Sequence, residues 1–126
     1  MTIDPGSIQF DQYEIVLLRR TRQSRDFDEE TQERIFREHA AYTIGLGAEG
    51  HVLAAGPVTE SRAEDEPVTG FGIYQKGTHE QVREVLEKDP GVQQGQYTFE
   101  IMTWVTPQGG LVFPRRPGGA GEQPGG

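Results

Sequence analysis

Apolar residues cluster in short runs along the chain, and their spacing changes from run to run. "YEIVLLR" (Tyr13–Arg19) is a compact run rich in β-branched and aromatic residues and predicts a strand. Beyond the polar loop "TRQSRDFD", the spacing becomes helical. Ile35, His39, Tyr42 and Leu46 follow i, i+4, i+7, i+11 and share one face. Asp28 or Thr31 can cap this helix, which runs to about Glu49 and stops at Gly50. "HVLAAGPV" (His51–Val58) reads as a second strand, ended by Gly56 and Pro57. "VTGFGIYQK" (Val68–Lys76) reads as a third, loosened by Gly70 and Gly72. Thr78 then caps a short second helix with Val82, Val85 and Leu86 inward, ending before Asp89-Pro90. "QYTFEIMTWV" (Gln96–Val105) completes the set as a fourth strand.

The order β-α-β-β-α-β predicts an α+β fold of ferredoxin-like type, a four-stranded antiparallel sheet with both helices on one face. On this reading residues 1–12 are an irregular lead-in and residues 13–106 the folded domain. Residues 107–126, ending "RRPGGAGEQPGG", form a Pro/Gly-rich tail that buries too little to order itself.

The strands carry a second message. A sheet covered on one face only should alternate apolar and polar residues. Here Ile15 and Leu17 oppose Val16 and Leu18 across the first strand. In the fourth, Tyr97, Phe99 and Ile101 oppose Met102 and Trp104. Two helices cannot cover both faces, so a second copy packed sheet against sheet, a homodimer, is the expected cover.

Composition removes several function classes. The 126 residues suit a single domain. The net charge is −8 and the lysines are only Lys76 and Lys88, so the surface repels a phosphate backbone and no nucleic-acid partner is expected. With no cysteine, disulfides, thiolate metal sites and cysteine nucleophiles are excluded. No run is long enough for a membrane span and "MTIDPGSIQFDQ" lacks a signal-peptide pattern, so a cytoplasmic protein is expected.

Several apparent motifs lack the context their chemistry needs. "GLGAEG" (Gly45–Gly50) spells a dinucleotide fingerprint, but it ends a helix instead of opening one, so no helix N-terminus meets a phosphate. Arg19, Arg20, Arg22 and Arg25 form a basic patch able to attract an anionic substrate, but solvent or Glu29, Glu30 and Glu33 can equally satisfy it, and that plainer reading is favoured. His39, His51 and His79 are too scattered for a metal motif, and no G-x-S-x-G elbow is present. Neither a metal nor an organic cofactor is expected.

What survives is a histidine in an apolar helical stripe, where leucine would serve a plain core better. His39, Tyr42, Leu46 and Gly50, then "HVLAAGP" (His51–Pro57), then "DPGVQQG" (Asp89–Gly95) together resemble the YCII-related family of small dimeric α/β-barrel proteins. The resemblance spans about Tyr13 to Trp104. It implies a His39–Asp89 dyad lining a pocket, with Asp89 fixing the imidazole tautomer and His39 acting as acid and base. It also implies a close backbone approach to a ligand at Gly56, a turn stiffened by Pro57, and Tyr42 and Tyr74 as further substrate-binding candidates. Best-understood members of the family look like dehydrochlorinases acting on chlorinated hydroquinones. The implied function is therefore lyase-like acid/base chemistry on a small cyclic or aromatic molecule. The alternatives are a small-molecule-binding protein without turnover and a structural or regulatory homodimer.

Overall fold

The computed structural model describes residues 5–61, 66–74 and 79–113. Its elements are β1 (Phe10–Arg20), α1 (Glu29–Ala48), β2 (Val52–Pro57), β3 (Val68–Tyr74), α2 (His79–Glu87), α3 (Pro90–Gln93) and β4 (Tyr97–Pro107). The strands form one sheet in the order β2-β3-β1-β4, with every neighbouring pair antiparallel. The helices lie on one face. This is the ferredoxin-like α+β arrangement expected from the order of elements.

Register explains which residues meet the helices. Val16 pairs with Gly72 and Ile101, and Leu18 with Gly70 and Phe99, so these six share the helix-facing side. There Val16, Val52 and Tyr74 pack with Leu46 of α1 and with Val82 and Leu86 of α2 to form the core. Intervening residues point the other way. Tyr13 pairs with Trp104, Ile15 with Met102 and Leu17 with Phe71, which makes the opposite face apolar as well. Phe71, Met102 and Trp104 are 42%, 39% and 39% exposed there.

α1 begins at Asp28, whose carboxylate accepts a hydrogen bond from the Thr31 amide at 2.7 Å. The Thr31 side chain and then this amide hold the Asp28 carboxyl below its ordinary range. Thr31 is thus the donor and Asp28 the cap. At the other end Gly50 adopts φ +86°, a left-handed turn suited to glycine, and the His51 amide donates back to the Leu46 carbonyl at 2.9 Å. "GLGAEG" therefore closes a helix and leads into β2.

Some boundaries differ from the pattern-based expectation. β1 starts at Phe10, inside the segment expected to be irregular, and β4 continues to Pro107. Phe10, Asp11 and Gln12 pair with Pro107, Thr106 and Val105, because backbone pairing extends past the apolar run that betrays a strand. A short α3, absent from the sequence reading, separates α2 from β4. The expected Thr78 cap, the third strand's continuation to Lys76 and the tail from residue 114 lie outside the described residues. Among the described residues no helix is long and apolar enough to cross a membrane.

Candidate functional site

α1 directs its stripe of Ile35, His39, Tyr42 and Leu46 inward, which brings His39 over the start of α3. The Asp-Pro step there explains the local backbone. Proline has no N–H to donate and its fixed φ suits the first position of a helix, so α2 stops and α3 starts at Pro90. Asp89 sits before it in an extended conformation and caps α3, its Oδ1 accepting from the Gly91 amide at 2.7 Å. Its Oδ2 lies 2.6 Å from His39 Nδ1. Asp89 is 2% exposed, whereas the His39 side chain is 18% exposed.

A carboxylate can only accept, so the bond to Oδ2 requires Nδ1 to carry the proton. In the neutral imidazole Nε2 then keeps its lone pair for the space beside it. That space is a cavity of about 250 Å³ between α1 and the strands β1 to β3. It exists because Gly70 and Gly72 stand on the helix-facing side of β3 without side chains. A Cβ at Gly70 would lie 3.3 Å from Leu18 Cβ, and one at Gly72 would lie 3.0 Å from Tyr74 Cε1. The Tyr74 ring thus lies back across Gly72.

The dyad is walled by aromatic rings. Tyr97 tilts against His39 with ring centroids 5.1 Å apart, and Phe36 stands 6.3 Å away on the same helix. Tyr97 packs directly over Gly91, and its hydroxyl accepts from Gln96 Nε2 at 3.1 Å. Gln96 Nε2 also donates to the Gln32 carbonyl, tying the start of β4 to α1. Burial pushes the Tyr74 hydroxyl far above its ordinary range, and the nearby Asp89 charge adds to this. Burial likewise raises Tyr97. Both phenols stay protonated and can donate a hydrogen bond.

Of the residues singled out in the sequence, His39, Asp89, Gly56, Pro57 and Tyr74 all line this cavity. Tyr42, also named as a substrate-binding candidate, is not among the residues lining it. Its hydroxyl donates to the Val85 carbonyl at 2.6 Å and its ring packs against the core, locking α1 to α2. Sequence reasoning left out Tyr97, Phe36, Ala40 and Thr43 as cavity residues, and Gly91 as the seat of Tyr97. The basic loop lies elsewhere. Arg20 donates to Ser24 Oγ and Gln32 Oε1, and Arg19 reaches Glu100 at 3.4 Å instead of a glutamate of α1. Among the described residues no three His, Asp or Glu side chains come together as a metal site.

Comparison with known proteins adds three findings. Among solved structures the fold is similar to that of the 5-chloro-2-hydroxyhydroquinone dehydrochlorinase of Burkholderia phenoliruptrix AC1100, solved in complex with 2,5-dihydroxybenzoquinone. The sequences are 19% identical, the TM-score is 0.48, and the match covers 74% of this chain and 90% of that one. No curated protein matches the sequence. The model of one family, the YCII-related domain, matches residues 14–105, from the middle of β1 to the end of the apolar part of β4, and it is to this family that the chain belongs.

Proposed function

We propose that the chain is a cytoplasmic, cofactor-independent enzyme that moves a proton on a small cyclic or aromatic molecule, in an elimination or isomerisation. The observation that carries this reading is the 2.6 Å contact between His39 Nδ1 and a buried Asp89 carboxylate at the wall of a ligand-sized cavity. The carboxylate orients the ring and stabilises the imidazolium formed when Nε2 accepts a proton. In an elimination the electron pair left behind expels a leaving group; in an isomerisation the proton returns at another atom.

Deuterium uptake tests this without knowledge of the full reaction. Ring compounds incubated with the protein in heavy water are expected to gain deuterium or be converted, and His39→Ala is expected to reduce the rate by about 10²–10⁴-fold, the usual contribution of a general base. A folded His39→Ala protein with undiminished turnover would end the proposal. Ligands that bind at the cavity and return unlabelled and unchanged would instead favour a binding protein without turnover.

The second element of the proposal is a homodimer built through the open sheet face. Tyr13, Ile15 and Leu17 on β1, Phe71 on β3, and Met102 and Trp104 on β4 form one continuous apolar surface. A contiguous patch of this kind is uncommon on a monomer. Sedimentation equilibrium is expected to give a dimer for the wild type and a monomer for Trp104→Glu, which would place a charge within the apolar contact. A monomeric wild type would remove this element.

A further inference from the structure

We infer that the cavity selects its ligand by charge, accepting an uncharged single ring and rejecting the corresponding anion. This deepens the reading of the cavity as a ligand site and rests on it.

Size comes first. A cavity of about 150 Å³ is enough to bind benzene, and drug-sized ligands need about 300–1,000 Å³. At about 250 Å³ this cavity suits one ring with a few substituents.

Charge is the sharper constraint. Among the described lining residues there is no lysine or arginine. The ionisable pair is His39 and Asp89. With the imidazole neutral the pair carries −1, and with it protonated the pair carries zero, so neither state offers a surplus positive charge. Much of the remaining wall is apolar, with Val16, Leu18, Phe36 and Leu86 among the lining residues. An anion entering it loses water without gaining a cation from the described lining, whereas a neutral hydroxyl or amide meets polar partners. Those partners include His39 Nε2, an acceptor, and Tyr74, which stays a donor. Burial, and after it the Asp89 charge, keeps the Tyr74 phenol protonated.

Benzamide and benzoate have nearly the same shape and differ in charge, so they isolate the effect. Phenol adds a ring with one hydroxyl. Titrations at pH 7, followed on the His39 and Phe36 ring resonances, are expected to show benzamide and phenol binding. Benzoate is expected to bind weaker than benzamide by on the order of 30-fold or more. Thr43→Lys, which sets a cation on the α1 wall, is expected to raise benzoate affinity about tenfold with little change for benzamide. Benzoate binding as well as benzamide at the same resonances would overturn charge selection and leave the ligand cavity standing. The absence of any benzoate gain in Thr43→Lys would equally overturn it. If none of the three compounds moves these resonances, both charge selection and the single-ring cavity fail together.

Discussion

Asp89→Asn is expected to leave the protein folded while reversing the proton arrangement of His39. Asparagine is as good a helix cap as aspartate, and its Oδ1 can keep the bond from the Gly91 amide. The position facing His39 then becomes an NH₂ group, a donor where Oδ2 accepted. His39 Nδ1 must give up its proton and accept, so the neutral ring carries its hydrogen on Nε2. The cavity would then face an N–H instead of a lone pair, a donor where there was an acceptor. ¹⁵N shifts of the two ring nitrogens, at a pH where imidazole is neutral, read this directly. A ring that keeps Nδ1–H in Asp89→Asn would show that Asp89 does not set the tautomer. Asp89→Ala behaves differently, because it removes the cap and the histidine's partner together. Loss of the cap and of a buried charged hydrogen bond should lower unfolding free energy by about 3 kcal/mol, measured by urea denaturation.

Gly91→Ala carries the second large effect. By helix propensity alone alanine would be favoured by about 1 kcal/mol. Packing decides otherwise. The added methyl would run into the Tyr97 ring, within 2.7 Å of Cε2, and would come within 3.3 Å of Asp89 Oδ1. Tyr97 is buried between α3 and His39 and has little room to retreat. Overpacking of this kind costs about 1–3 kcal/mol, and the upper half of that range is expected here. Because the clash is with one ring, Tyr97→Ala should reverse much of the loss in the double variant, a strongly non-additive result. Simple additivity of the two substitutions would mean that Gly91 is needed for something other than seating Tyr97.

Much of the fold was legible because its strands and helices are marked by apolar spacing. His39 was legible too, since a histidine within a stripe of Ile35, Tyr42 and Leu46 has to be accounted for. Asp89 was harder to read. Spacing shows only a helix stop before Pro90, and its pairing with His39, 50 residues earlier, was implied by family resemblance. The same Asp-Pro step also signals a helix start, which is how α3 could have been found. The surroundings of Tyr42 are not legible in the sequence, because a shared helical face does not say whether a hydroxyl meets a cavity or a carbonyl such as that of Val85. Gly70 and Gly72 were read as weak points in a strand. Two residues apart, they sit on the same face, and the missing side chains there open the cavity floor. Tyr97 belongs to the same pattern, as the helix-facing residue at the start of β4, but its contact with His39 depends on tertiary packing that no local rule reveals.

Asp89 serves two masters with its two oxygens, and this changes how related chains should be read. A relative without the histidine would still need a carboxylate or amide there to begin α3, so that residue would persist through architecture alone. His39 caps nothing, and its place in the stripe could be taken by leucine. On the proposed function, position 39 follows the chemistry in any comparison of relatives, whereas position 89 follows the fold with or without it.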